Sequence, residues 1–334
     1  MKRLLVVGGG LIGSRHVATV QAHPDCELAG LVDPDPSIPA DPDVPRFYRI
    51  QDVTGPIDGA IIATPTHLHA EHGMYAARQG WPVLIEKPVA GDLEGALALQ
   101  EALRTAGVAS LVGHHRRYHA AVQQLKEVIT QGKIGRIVAA NLIWAMRKPN
   151  NYFEGNWRAA GGSPVLINLV HDIDLLRFVI GEINCTTALP ASGLRGADRI
   201  ESGAVALAFS NGAVGTICFS DTSPSPWGFE AGTGENPNIG ETGQDMMWIM
   251  GTKGAVSFPS LTLWVGQDWA IAAKKQPMPV AQNARTPLQA QLDHFLGVID
   301  GALPLVDVAD ATQTVRIALE IEAQLTDQRK AQCG

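Results

Sequence analysis

The run Gly8-Gly9-Gly10-Leu11-Ile12-Gly13 has the spacing G-x-G-x-x-G. It follows an apolar stretch at residues 3–7 and opens a helical pattern at 11–22. That is the setting a pyrophosphate-binding loop needs. Gly8 allows a tight turn, Gly10 lets phosphates approach the backbone, and Gly13 lets helix and strand pack closely. Leu11 and Ile12 stand in the first helical turn, whose free N–H groups and positive dipole end attract anions. Asp33 ends the second predicted strand, about 20 residues past Gly13, where an acid accepts hydrogen bonds from an adenosine ribose. Its carboxylate repels a 2′-phosphate, and Pro34 rather than an arginine follows. The expected cofactor is therefore NAD, with NADP less favoured.

Two further groups can move protons. Glu86-Lys87-Pro88 closes a predicted strand at 83–86, on the carboxyl edge where ligands bind in open α/β sheets. A lysine there can hydrogen-bond a substrate hydroxyl and carry part of its proton transfer. Taken alone, such a lysine is more often a plain surface group. Residues 164–180 predict one helix, capped by Ser163, begun by Pro164 and ended by Gly181. On it Asn168, His171 and Asp172 are spaced i, i+3, i+4 and share a face. Ile167, Val170, Ile173 and Leu176 form its apolar stripe.

Arginines are candidates for an anionic substrate group, since a guanidinium fits a carboxylate bidentately. Arg158 follows Trp157 just before Gly161-Gly162, and Arg116 and Arg117 lie in His114-His115-Arg116-Arg117-Tyr118. Holding a domain interface is the competing role for these cations.

The elements that must position these groups read in two halves. Short apolar runs at 27–32, 57–63 and 109–112 join those at 3–7 and 83–86, with helical stretches at 11–22, 69–79 and 93–105 between them. Near-continuous apolar strands separated by helices predict a parallel sheet covered on both faces. Residues 34–45 are too rich in proline for a helix and predict an irregular crossover. Beyond Gly113 come a helix at 120–130 and a strand at 136–145. Alternating segments at 204–209, 213–220, 247–250, 255–258 and 261–265 predict an antiparallel sheet with one buried face. A long loop at 222–243 and closing helices at 287–300 and 310–324 complete the pattern. The expectation is α/β: a dinucleotide-binding domain at residues 1–118 and a second α/β domain at 119–334.

Composition excludes other classes. The chain has 334 residues, 46% of them hydrophobic, enough for two ordinary cores. A formal net charge of −7 argues against nucleic acid as a partner. No apolar run reaches the roughly 20 residues of a membrane span. The opening Met1-Lys2-Arg3 is followed by too short an apolar run for a signal peptide, and reads as a buried first strand. Four scattered cysteines without a Cys-x-x-Cys fit reduced thiols in a cytoplasm rather than a zinc site or disulfide frame.

The motifs also occur in a telling order. The glycine loop is followed by Ala63-Thr64-Pro65-Thr66-His67-Leu68-His69, by Glu86-Lys87-Pro88, by Gly132-Lys133-Ile134-Gly135-Arg136, and by Gly161-Gly162 leading to His171-Asp172-Ile173-Asp174. This resembles the Gfo/Idh/MocA oxidoreductase family over nearly the whole chain. The resemblance implies a Rossmann fold followed by an α/β domain with a large open, mostly antiparallel sheet. It implies NAD-dependent oxidation or reduction of an alcohol–carbonyl pair on a small substrate: a sugar, polyol, sugar acid or hydroxy acid. Lys87 matches the catalytic lysine and His171 the active-site histidine. Thr64, Pro65 and His69 match positions near the nicotinamide ribose, and Glu86 and Lys87 are counted with them. Asn168, Asp172, Trp157, Arg158 and Arg116 are expected around the substrate. A homo-oligomer, dimer or tetramer, is implied through the exposed sheet face. One departure stands out: the family commonly has an aspartate four residues before the histidine, where this chain has Ile167. An amide at Asn168 can orient a group but cannot act as a base. Two alternatives therefore stay open, a non-redox hydrolase or lyase with tightly bound NAD and a catalytically silent dinucleotide sensor.

Overall fold

The computed structural model describes residues 1–39, 41–153, 163–191, 193–195, 199–266 and 268–333. It divides into two compact units. The first is Met1–Tyr118 with Ala284–Arg316, and the second is His119–Asn283 with Ile317–Gly334. A single division of the chain at residue 118 therefore misses a return, since residues 284–316 come back to the first unit.

The first unit is built on a six-stranded parallel sheet of order β3-β2-β1-β4-β5-β6. Its strands are β1 (Lys2–Val7), β2 (Cys26–Val32), β3 (Arg46–Phe47), β4 (Gly59–Ile62), β5 (Val83–Ile85) and β6 (Ser110–Val112). Helices α1 (Leu11–Gln21), α2 (His69–Arg78) and α3 (Leu93–Ala106) make the crossovers. Leu4, Leu5, Val6, Ile61, Ile62 and Leu84 are buried on both sheet faces, which is why these strands read as unbroken apolar runs. Among the described residues between β2 and β3 there is no helix, in keeping with the prolines. Strand order reverses between β1 and β4, and that switch point opens a crevice at the strands' carboxyl ends.

The returning segment seals the edge of this sheet. Its helix Pro287–Ile299 opens with a capping box between Thr286 and Gln289. Val112 N–H donates to Val306 O (2.9 Å), and Gln291 Nε2 donates to Val112 O (3.1 Å).

The second unit has an eight-stranded sheet of order β14-β13-β12-β11-β7-β10-β9-β8. The strands are β7 (Ile137–Ala145), β8 (Ile183–Pro190), β9 (Ser202–Phe209), β10 (Val214–Ser220), β11 (Met247–Gly251), β12 (Gly254–Phe258), β13 (Leu263–Val265) and β14 (Lys274–Gln276). All its pairings are antiparallel except β7 with β10, which run parallel in the centre. The edge strands β8 and β14 escape the sequence reading. In β9, Val205, Leu207 and Phe209 are buried while Ala204 and Ala206 are exposed, the period-2 pattern of a sheet covered on one side. That covered side packs with helices α4 (Ala120–Thr130) and α5 (Val170–Val179) around Leu125, Trp144, Leu176, Ile217 and Phe258. Truncating a residue in such a core to alanine costs about 2–5 kcal/mol. The stretch read as one loop at 222–243 contains a short helix, Phe229–Thr233.

Candidate active site

The crevice of the first unit is a cleft of about 910 Å³, lined among others by Gly8, Gly10, Asp33, Pro34, Ile38, Tyr48, Arg49, Thr64, Pro65 and His72. Three glycines of the loop are required for three different reasons. Gly8 has a left-handed φ of +96°, and a Cβ there would sit 2.6 Å from Ala63 O. At Gly13 a Cβ would fall 1.9 Å from Gly8 O, so helix and strand could not close up. Gly10 is different: no protein atom lies within 4 Å of its missing Cβ. The protein's own packing does not need glycine there, and a side chain would stand in the open cleft.

Helix starts sharpen the point. α3 is capped by Asp92, α4 by His119 and the Pro287–Ile299 helix by Thr286. The two helices that open toward the cleft, α1 after Gly10 and α2 after Leu68, have no side-chain cap. In α2 the preceding turn Thr66–Leu68 takes the cap's place, His69 N–H donating to Thr66 O, whereas the first N–H groups of α1 point to an external acceptor, a role that a phosphate suits. Asp33 is pinned by two backbone donors, Gly9 N–H to Oδ2 (2.7 Å) and Asp35 N–H to Oδ1 (2.9 Å). A carboxylate oxygen keeps further lone pairs for ribose hydroxyls. These residues fit a dinucleotide with its phosphates at Gly10 and its adenosine ribose at Asp33.

Sequence reasoning missed Tyr48, Arg49 and His72, all from outside the motifs. Arg49 is an arginine in the cleft wall, brought in by the turn after β3 and paired to Asp52 (Nη2–Oδ1 2.8 Å). Looking only beside Asp33 could not find it. His72 Nδ1 lies 3.3 Å from Thr64 Oγ1, and burial lowers its pKa.

Lys87 follows β5 at its carboxyl end and is half-buried. Behind it Glu86 is buried, with Oε1 2.8 Å from His16 Nε2 of α1. Burial alone would raise the Glu86 pKa, but the His16 hydrogen bond and the charges of His16, His115 and Lys87 bring it down to about 2. His69 is buried too: Nδ1 lies 2.8 Å from Pro88 O and Nε2 2.8 Å from Thr64 O. Burial lowers its pKa, against the pull of those two carbonyls. Neither Glu86 nor His69 is in the cleft wall with Thr64 and Pro65. Leu11 is exposed and Ile12 half-buried, in the first turn of α1 as expected.

Arg116 and Arg117 are both buried, in the turn His115–Tyr118. Arg117 Nη1 donates to Leu305 O (3.0 Å) and Asp310 Oδ2 (2.8 Å), which commits it to holding the returning segment. Trp157, Arg158, Gly161 and Gly162 lie outside the described residues.

In the second unit the predicted helix begins differently from expectation. Ser163 Oγ accepts from Val165 N–H (3.2 Å), as a cap should. Residues Val165–Leu169 then form a π-turn, with Val170 N–H donating to Val165 O, before α5 runs regularly. The wider turn removes the i, i+3, i+4 argument that put Asn168 on one face with His171 and Asp172, which are consecutive residues of α5. His171 and Asp172 are buried, and Asn168 and Ile167 are half-buried. Asn168 Oδ1 accepts from Lys148 Nζ at 2.6 Å, and that ammonium lies 5.4 Å from the Trp144 ring centroid and 5.0 Å from that of Tyr152. An ammonium only donates, so it dictates the amide's orientation and turns the Asn168 NH₂ group away from itself. Lys148 follows β7, and Asp221 follows β10, its parallel neighbour. Asp221 is fully buried, accepts from Arg195 Nη1 (2.7 Å), and has its pKa raised by burial in spite of the Arg195 and Lys148 charges. Lys148 and Asp221 carried no motif and were not foreseen.

Comparison with known proteins agrees with this geometry. Residues 2–114 match the Gfo/Idh/MocA oxidoreductase family model for an NAD-binding Rossmann fold, and residues 122–257 match the family's C-terminal domain. The 1,5-anhydro-D-fructose reductase of Ensifer adhaerens is 34% identical over 196 residues, 55% of this chain and 57% of the reductase. The scyllo-inositol 2-dehydrogenase (NAD(+)) of Bacillus subtilis is 26% identical over 292 residues, 81% of this chain and 76% of that enzyme. The WlbA dehydrogenase of Bordetella pertussis, solved with NADH and UDP-GlcNAcA, superposes with a TM-score of 0.77 at 22% identity over 98% of this chain and 97% of its own. That likeness speaks to the fold. No helix among the described residues is long and apolar enough to cross a membrane. The chain belongs to the Gfo/Idh/MocA oxidoreductase family, and its first unit is that family's NAD-binding Rossmann fold.

Proposed function

We propose that this chain is an NAD-dependent dehydrogenase or reductase acting on a CH–OH group of a small hydroxylated compound. Sugars, polyols, sugar acids and hydroxy acids are the substrate classes to test. The observation that carries the reading is Lys87, half-buried at the carboxyl end of β5 in the same unit as a cleft built for a dinucleotide. NAD supplies the hydride acceptor. The protein's part is to orient the alcohol and to handle its proton. Lys87 hydrogen-bonds the reacting hydroxyl, and His171 takes or returns its proton. Asn168 presents its NH₂ to a substrate oxygen, and Asp172 accepts from a neighbouring hydroxyl. Arg158 contacts an anionic substituent where the substrate has one. Asp33 disfavours a 2′-phosphate, which favours NAD over NADP, although Arg49 lies in the same wall.

An absorbance screen for NADH formation across those classes, run with native protein and Lys87→Ala, tests the proposal. Activity on one class that vanishes in the variant is the expected result. Silence across the panel with NADH still bound would favour a sensor, and NAD retained through purification would favour the bound-cofactor hydrolase.

A second copy of the chain is the proposed partner. Val138, Leu189, Val214, Met250 and Trp264 are exposed on the eight-stranded sheet, an apolar surface suited to a like face. Light scattering that returned one chain's mass, 35.5 kDa, would remove this part.

A further inference from the structure

We propose that the buried pair His16–Glu86 positions Lys87 and sustains its charge, so that Glu86 belongs to the lysine's support rather than to the cofactor's contacts. The inference rests on Lys87 as the proton-handling group. Glu86 is 6% exposed, and its Oε1 faces His16 Nε2 at 2.8 Å. Its Oε2 lies 3.3 Å from the Lys87 backbone N–H. The fold reserves space for this carboxylate: a Cβ on Gly113 would stand 2.9 Å from Oε2. The titratable groups around it come from every neighbouring element, namely His16 of α1, His69 of α2, His115 of the turn after β6, and Lys87 itself. A carboxyl whose pKa is brought down to about 2 is ionised through the working range and can only accept. His16 Nε2 must therefore carry the proton between them.

The result is an ionised carboxylate fixed one residue from Lys87, and the coulombic attraction between the two favours the ammonium form. A lysine that donates to a hydroxyl or to a carbonyl oxygen needs that form. The pair also ties the lysine to the cofactor loop mechanically. α1 begins at Gly10, and His16 sits on the same helix, so the element that receives the phosphates also holds Glu86. On the lysine's other side, His69 reaches both Pro88 O and Thr64 O, the latter in the cleft wall. Lys87 is bracketed by two buried histidines, each on a helix that starts at the cleft.

The test is the titration of Lys87 itself, which needs no substrate and so stands apart from the success of any activity screen. Lysines are dimethylated with ¹³C-formaldehyde, and the Lys87 resonance is assigned by its loss in Lys87→Arg. Its pH titration is then followed by NMR in native protein, Glu86→Gln, His16→Ala and His16→Gln, with NADH affinity measured by fluorescence on the same samples. The expected result is a fall of about one pH unit or more in the Lys87 midpoint in Glu86→Gln. A smaller fall is expected in His16→Ala, and largely native behaviour in His16→Gln, whose amide still donates from the Nε2 position. An unmoved Lys87 midpoint in folded Glu86→Gln overturns the proposal. So does a loss of NADH affinity of about tenfold or more with Lys87 unmoved, which would return Glu86 to the cofactor. If Glu86→Gln does not fold, the two His16 variants decide: equal Lys87 midpoints in His16→Ala and native protein reject the proposal.

Discussion

In the first unit the groups offered to a ligand are largely backbone: the open position at Gly10, the uncapped start of α1, and one pinned carboxylate. In the second unit the groups proposed for a ligand are side chains on a helix with an irregular start, one of which, Asn168, is held by Lys148 from beyond β7. A backbone site forces residue types, because only glycine fits at Gly8 and Gly13. A side-chain site can be rebuilt from different residues, since an orienting cation or amide can come from any nearby element. The first kind suits a cofactor shared by many relatives, and the second suits a substrate that differs among them.

Four experiments test this contrast. The largest effect is expected from Lys87→Ala. Losing a positioned proton donor costs about 10²–10⁴-fold in turnover. NADH affinity should change far less, and a matching loss of both would make Lys87 a cofactor ligand instead. Next is Gly10→Val. The position has ordinary backbone angles and open space, so the fold should be kept while NADH affinity falls about a hundredfold or more, each lost charge-assisted hydrogen bond costing about 1.5–3 kcal/mol. Gly13→Ala, 1.9 Å from Gly8 O, should do the reverse and lower Tm by overpacking of about 1–3 kcal/mol. Equal behaviour of the two variants in NADH titration and melting would erase the distinction drawn between them.

Third, Lys148→Met keeps the side chain's apolar length but releases the Asn168 amide. We expect KM for the substrate to rise about tenfold or more, with NADH affinity unchanged. An unaltered KM would take Asn168 out of substrate binding. The smallest effect is a matter of pH. The Glu86 carboxyl titrates at about 2, below its ordinary 4.5. Its contribution to stability is therefore present above about pH 4.5 and lost as pH falls toward 2. The Tm gap between native protein and Glu86→Gln should be widest near neutrality and close in acid. A gap independent of pH would contradict the ionised pair.

These differences explain what was legible beforehand. The parallel sheet, its helices and the glycine loop could be read because burial on both faces imposes apolar runs, and close backbone approach imposes glycine. The strands β3, β8 and β14 were missed. Lys274–Gln276 is wholly exposed and polar, so it is a strand only because β13 offers it an edge. The π-turn at Val165–Leu169 was invisible because it is a hydrogen-bond choice, and the composition of the segment suits an ordinary helix equally well. Lys148 and Asp221 stood unmarked because their meaning comes from two strands, far apart in the chain, lying parallel. Arg117 could be read equally as an anion ligand or as a structural cation, and its bond to Asp310 gives it the second role. An arginine cluster does not disclose in sequence which carboxylate the chain later supplies.

The return of residues 284–316 has a consequence for how the protein is made. Strand β6 donates to Val306 and accepts from Gln291, and Gly59 in β4 packs close to Phe295 and Ile299. A nascent chain that has emerged only as far as residue 118 holds every strand of the parallel sheet but not the cover for its last edge. The chain must be made through Val306 before that edge is sealed. Until then the exposed rim of β6 is a natural place for a chaperone to hold the chain.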